Sequence, residues 1–246
     1  SGEYALVQIK NRYNAVSLPK ADVVDMRFEL ARGNKSFLSF ELQDAIAENI
    51  KKKEQTILFL NRRGFSTFVS CRKCGFAATC PECDIALTYH KYSDSLSCHY
   101  CGYTVPGFKF CPKCGSTQIR HFGIGTQRVE EEIHKLFPEA SVLRMDLDTT
   151  RGKFAHADIL KKFTREKTDI LVGTQMITKG LDFPSVSLVG VLAADMMLYV
   201  DDYRACERTF QLITQVCGRA GRGESQGRAI IQTYSPDHWV IECAKN

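Results

Sequence analysis

The stretch DILVGTQMITKGLDFPSVSLVGV, residues 169–191, reads as an apolar strand, a polar loop and a second apolar strand. Ile170-Leu171-Val172 and the run 186–192 are nearly continuously hydrophobic, not alternating, which is the pattern of strands covered on both faces. The loop between them carries Thr174, Gln175, Thr178, Lys179, Gly180 and Asp182. Polar loops at the carboxyl ends of strands are where open α/β sheets bind ligands.

Outward from this stretch the same alternation continues. Residues 56–60, TILFL, read as a buried strand. They follow a helix that Ser39 can cap, with Leu42, Ile46 and Ile50 on one face and Lys51-Lys52-Lys53 at its dipole's negative end. A second helix is expected from Thr126 as cap, with Val129, Ile133, Leu136 and Phe137 sharing a face and Pro138 stopping it. Further strands are expected at 142–145 and 229–233, and helices around 158–164, on Ile159, Leu160 and Phe163, and at 205–216. Strands alternating with helices predict an open parallel α/β sheet of doubly wound type with helices on both faces. Residues 71–114 interrupt the pattern where a crossover is normally short, and so read as an inserted subdomain. The domain reading is therefore 1–20 as the tail of something preceding, 21–70 and 115–246 as the sheet domain, and 71–114 as the insert.

With 246 residues, 44% of them hydrophobic and 25% charged, the chain can bury a sizeable core, which excludes a disordered or fibrous protein. No run approaches the roughly 18 uncharged apolar residues of a membrane span, and the best, 187–200, is broken by Asp195. Ser1-Gly2-Glu3-Tyr4 has the features of an expression remnant and not of a secretory signal, so a reducing, cytoplasmic compartment is expected. The formal charge is +5, but residues 62–122 hold 8 basic and 3 acidic side chains, which is the whole surplus. Eight thiolates and two divalent ions in that segment cancel most of it, so net charge alone supports no partner.

Cys71-x-x-Cys74, Cys80-x-x-Cys83, Cys98-x-x-Cys101 and Cys111-x-x-Cys114 supply four two-thiolate knuckles, enough for two closed four-sulfur zinc sites. Gly75, Gly102 and Gly115 follow a second cysteine where the backbone must turn tightly. The knuckles can pair in three ways. The 14 residues between Cys83 and Cys98 suit a zinc-ribbon hairpin, which favours Cys80, Cys83, Cys98 and Cys101 as an inner site and Cys71, Cys74, Cys111 and Cys114 as an outer one. A structural role for both ions is expected, with an added binding role through Arg72, Lys73, Tyr89, His90, Lys91 and Tyr100. Cys206, Cys217 and Cys243 read as small buried hydrophobes.

QVCGRAGRG, residues 215–223, follows the helix at 205–216 and holds two arginines three apart among glycines, a spacing suited to phosphoryl oxygens. Asn61-Arg62-Arg63-Gly64 and Gly123-Ile124-Gly125-Thr126 offer further anion-ready positions, at a strand end and at a helix start. QVCGRAGRG resembles motif VI, and ILVGTQMITKGLDFP resembles motif V, of superfamily 2 helicases. The four CxxC pairs after FLNRRGF, followed by GIGTQRVEEEIHKLFP, RMDLDTTRGK and ERTFQLITQVCGRAGRG, are similar to the bacterial replication-restart helicases from about Leu18 onward.

That resemblance implies a RecA-like helicase lobe 2 with an inserted zinc-ribbon-like subdomain, part of an ATP-dependent 3′-to-5′ DNA helicase acting in replication restart and primosome assembly. It implies two Zn2+ in nested sites here, and ATP and Mg2+ in the full-length protein. Arg222 would be the arginine finger and Arg219 its neighbour on the γ-phosphate. Gln215, Gly180 and Asp182 would approach the nucleotide, and Thr174, Gln175, Lys179, Arg62, Arg63 and Thr126 would grip DNA. The implied partners are DNA forks and single-stranded DNA, primosome and replicative-helicase loading proteins, and single-strand-binding protein; no membrane is implied. Asp201 and Cys217 stand where the family commonly has proline and alanine. No GxxxxGK[ST] or DExH motif occurs in these residues, so the fragment alone is expected to be inactive. The rival reading is a zinc-ribbon adaptor for protein or nucleic acid without enzymatic activity, and iron-bound redox chemistry is a more distant one.

Overall fold

The computed structural model describes residues 19–61, 68–121, 124–152, 154–178, 183–221 and 226–245. The chain begins with β1 (Lys20–Asp25), α1 (Met26–Ala31), α2 (Phe40–Lys52) and β2 (Gln55–Leu60). The cysteine segment follows with β3 (Val69–Cys71), β4 (Thr88–His90), β5 (Ser95–Ser97), β6 (Thr104–Pro106) and β7 (Ile119–His121). Then come α3 (Thr126–Leu136), β8 (Val142–Met145), α4 (Ala155–Arg165), β9 (Ile170–Gly173) and a 3-10 turn at Gln175–Thr178. The chain closes with β10 (Val186–Leu192), α5 (Asp195–Leu198), α6 (Ala205–Cys217), β11 (Arg228–Thr233) and α7 (Trp239–Lys245).

Six strands form one sheet in the order β1-β11-β10-β2-β9-β8, and every neighbouring pair is parallel. Alternate residues of each strand enter opposite cores, which explains why the strands look apolar throughout. Leu58 and Leu60 join Leu42 and Ile46 of α2 and Val129 and Ile133 of α3 on one face. Ile57 and Phe59 join Phe163 of α4, Ile213 and Val216 of α6 and Ile241 of α7 on the other. The sheet is thus covered on both sides, as the alternation predicts.

Polar side chains orient the helices on this sheet. Ser39 caps α2 by accepting the Leu42 amide at 3.2 Å, and its own amide donates to Gln232 Oε1 at 2.7 Å. Lys53 ends the helix in the left-handed region at φ 56°. Gln55 Nε2 reaches the carbonyls of Phe163 and Thr168, at 2.7 and 2.8 Å, joining β2 to the end of α4.

Two features differ from the sequence reading. Thr126 does not cap α3; Gly125 occupies the N-cap with no side-chain bond, and the Thr126 hydroxyl donates to Asp146 Oδ2 at 2.6 Å. Gly125 takes the extended N-cap conformation, so Thr126 is already the first helical residue and its hydroxyl is placed toward the carboxylate after β8. The second difference is that Lys20–Asp25, at the boundary assigned to the tail, is an edge strand paired residue for residue with β11. It has only Val23 and Val24 as large apolar residues, and among the described residues it borders β11 alone. α1, α5 and α7 are likewise additional to the expected elements.

Leu42 is fully buried between α2 and the sheet. Leu42→Ala is expected to cost about 2–5 kcal/mol, seen as a lower urea midpoint with an unchanged slope.

Candidate functional site

The eight clustered cysteines fall into two sets, Cys71, Cys74, Cys111 and Cys114, and Cys80, Cys83, Cys98 and Cys101, with the four sulfurs of each within 4.8 Å of one another. Cys71 and Cys114 sulfurs lie 3.7 Å apart, Cys74 and Cys111 3.6 Å, and Cys80 and Cys101 3.5 Å. Zinc–sulfur bonds of about 2.3 Å at tetrahedral angles require sulfurs about 3.8 Å apart, so both sets fit zinc. The sets are nested, inner within outer.

All four knuckles have one backbone design. The amide of the residue after the second cysteine donates to the carbonyl of the first, from Gly75 to Cys71, Asp84 to Cys80, Gly102 to Cys98 and Gly115 to Cys111, at 2.8–3.0 Å. Those four residues have φ between 54° and 77°, where glycine carries no Cβ penalty and aspartate is among the better tolerated alternatives. Asp84 holds the fourth turn without a glycine, which is why sequence reading did not single it out. Amides of Cys101 and Tyr100 pull the Cys98 thiol down to about 7, and the amide of Ser116 does the same for Cys114. Burial pushes Cys74 up to about 12. Zinc binds the thiolate, so the lowered pair are the easier ligands to deprotonate.

The insert rests on the lobe. β3 and β7 pair as a short antiparallel ribbon, Val69 opposite His121, from which the knuckles extend. A Cβ at Gly75 would collide with the carbonyl oxygen of Tyr234, just beyond β11. Phe68 lies 5.4 Å from the ring of Tyr199, and His99 Nδ1 lies 3.1 Å from Asp201 Oδ2.

The described candidates for nucleic-acid and phosphate contact occupy two different ends of the sheet. At the carboxyl edge, Asn61 follows β2, Asp146 follows β8, and Thr174 and Gln175 follow β9. The Thr174 amide donates to the Met145 carbonyl at 3.2 Å, and Asn61 and Gln175 line a common cleft with Asp202 and Arg208. Burial would raise the Asp146 carboxyl, but the Thr126 hydroxyl, the Thr149 amide and Arg144 together hold it below the usual range. The Thr126 hydroxyl is thus engaged in an internal bond and the residue is buried.

The arginine turn lies toward the other edge. α6 runs back along the sheet, and the Gly221 amide donates to the carbonyl of Val186, the first residue of β10, at 2.9 Å. Gly221 has φ 63°, and a Cβ there would strike Gly227. Arg219 Nη2 donates to the Thr178 carbonyl, which joins the arginine turn to the polar loop after β9. Gln215 is exposed on the last turn of α6. Arg62, Arg63, Lys179, Gly180, Asp182 and Arg222 lie outside the described residues.

Asp195 is a structural residue that the sequence reading did not assign. It is fully buried and accepts the Thr233 hydroxyl at 3.1 Å and the Tyr234 amide at 2.9 Å, bridging the ends of β10 and β11. Burial raises its carboxyl above the ordinary range. Its one sequence signal is a lone carboxylate within an apolar run. Among the described residues no helix is long and apolar enough to cross a membrane.

Family models match within the chain on both sides of the insert boundary. Residues 116–224 match the helicase conserved C-terminal domain, and residues 80–106 match the Cys-rich region domain of PriA DNA helicase. The chain is 55% identical over 244 residues to the replication restart protein PriA of Bacillus subtilis (strain 168), covering 99% of this chain and 30% of that protein. It is 50% identical over 243 residues to PriA of Synechocystis sp., covering 97% of this chain and 29% of that one. A solved structure, Mss116p DEAD-box helicase domain 2 bound to an RNA duplex, aligns with 91% of this chain and 57% of its own at TM-score 0.46 and 12% identity. The protein is therefore a RecA-like helicase C-terminal lobe interrupted by a zinc-binding cysteine insert. The chain is thus similar over nearly its whole length to the replication restart protein PriA, and it spans less than a third of the length of the two relatives named.

The purified chain is expected to carry two zinc ions, and Cys98→Ala to carry one, by elemental analysis. Stripping both with a chelator is expected to unfold the insert and collapse the dispersion of its amide signals, since such sites contribute about 10–16 kcal/mol of apparent binding free energy.

Proposed function

We propose that this lobe is the C-terminal motor half of an ATP-dependent 3′-to-5′ DNA helicase that acts in replication restart and primosome assembly. The observation that carries the reading is the bond from Arg219 to the Thr178 carbonyl, which couples the arginine turn to the loop that begins at the carboxyl edge. A lobe built this way can report the state of a nucleotide phosphate to a bound strand. On this reading Arg222 is the arginine finger, Arg219 is its neighbour on the γ-phosphate, and Gln215, Gly180 and Asp182 approach the nucleotide. Thr174, Gln175, Lys179, Arg62 and Arg63 grip the single strand, and Thr126 contributes its position at the start of α3. ATP and Mg2+ would be held mainly by the rest of the full-length protein, which carries the phosphate loop and acidic motif.

The zinc insert supports a contact role beyond stapling. Tyr92, Tyr100 and Phe110 are exposed on it, and aromatic faces beside lysines suit unstacked bases or a docked protein. Its partners on this reading are fork DNA, primosome and helicase-loading proteins, and single-strand-binding protein.

The test is ATP hydrolysis with and without single-stranded DNA, by the full-length parent and by its Arg222→Ala variant. DNA-stimulated hydrolysis is expected to fall on the order of 10³–10⁵-fold in the variant with folding and zinc content kept, while the isolated lobe hydrolyses negligibly. Equal rates in parent and variant would make the arginine turn structural and favour the adaptor reading.

A further inference from the structure

The inner zinc ribbon carries a second constellation of ligand-type side chains. His90 is the last residue of β4, and His99 lies within the Cys98–Cys101 knuckle, so the inner cysteine set fixes both backbones. Their Nε2 atoms face each other at 3.4 Å, with ring centroids 5.5 Å apart. Asp201, on the lobe, receives His99 Nδ1 at 3.1 Å, and Ser97 Oγ lies 2.6 Å from His90 Nε2.

Asp201 can accept from His99 only if the proton sits on Nδ1, which leaves the Nε2 lone pair available; His90 offers its own Nε2 lone pair when its proton sits on Nδ1, and an ion there takes the place of the Ser97 hydroxyl contact. A carboxylate on the far nitrogen of an imidazole is the usual outer partner of a metal-bound histidine, fixing its tautomer and raising its basicity. Two imidazole nitrogens bound to one ion at about 2.0–2.1 Å with tetrahedral angles stand about 3.3–3.4 Å apart, the separation seen here. Both histidines are exposed, so an ion and its completing waters have access.

We propose that His90 and His99 form a third metal site, taking one borderline divalent transition-metal ion through their Nε2 atoms at the junction of insert and lobe. Imidazole favours nickel, copper and zinc over magnesium or calcium, so the ion comes from that class. Because Asp201 belongs to the lobe and His99 to the insert, occupancy strengthens the link between them. The site shares no ligand atom with the two four-sulfur sets, although the inner set holds its backbone, and it lies apart from the arginine turn.

The probe is Ni2+ added to the two-zinc chain, followed by dialysis and elemental analysis. One nickel per chain beside two zinc ions is expected. His90→Ala and His99→Ala are expected to keep two zinc ions and lose the nickel, and Asp201→Asn to weaken nickel binding on the order of tenfold or more. As a readout on unmutated protein, paramagnetic Ni2+ is expected to broaden the ring signals of His90 and His99 before those of any other histidine. No bound nickel, nickel unchanged in both histidine variants with zinc retained, or first broadening at another histidine would each overturn the proposal.

Discussion

Cys71 and Cys114 are 43 residues apart in the chain and 3.7 Å apart at sulfur, and the rest of the molecule is built around that closure. Between β2 and α3 a parallel sheet needs only a short crossover, yet this chain spends more than sixty residues there. Left open, so long a loop would carry its full closure entropy and leave its own small core exposed. Cross-linking its base through the outer sulfur set, above the β3–β7 ribbon, lets the insert fold as a unit while β2 and α3 keep their places. The inner set then organises the three-stranded β4-β5-β6 sheet, whose small core, with Leu87, Leu96 and Ile85 among its members, is of the size that natural mini-domains staple with metal.

On the proposed reading the lobe divides its work between the two ends of one sheet. Residues suited to a nucleic-acid backbone stand at the carboxyl edge, and the arginine turn stands near the start of β10. The link from Arg219 to Thr178 gives the two a shared mechanical element, and the buried 3-10 turn at Gln175–Thr178 is packed against α6 along its path. Its rigidity follows from packing: Ile177 is 1% exposed, and a Cβ on Gly173 would already press on it. On the proposed reading this packed turn is the physical route from one end to the other.

Much of this was legible in the sequence, for identifiable reasons. Strands such as TILFL and ILVG announce burial on both faces, and the four CxxC pairs announce their chemistry by spacing alone. What escaped depended on partners distant in sequence. β1 is an edge strand with few large apolar residues, so it has no periodic signal. Thr126 looks like a cap, but Gly125 takes that position and the threonine hydroxyl donates to Asp146, twenty positions on. Asp84 replaces the glycine of the other knuckles, and Asp195 gains meaning only from Thr233 and Tyr234. The position of the arginine turn relative to the strand-end loops is set by the direction of α6, which no local pattern encodes.

The central claim is that nucleotide and strand act on opposite ends of this lobe and are joined through Thr178. Hydrogen exchange on the full-length parent, with single-stranded DNA alone, with a non-hydrolysable ATP analogue alone, and with both, tests it most directly. The account predicts that DNA slows exchange around Asn61, Thr174 and Gln175, that the analogue slows it around Gln215 to Gly221, and that either ligand slows it at Thr178. Protection by DNA confined to the zinc insert, with the lobe unchanged under every condition, would contradict it.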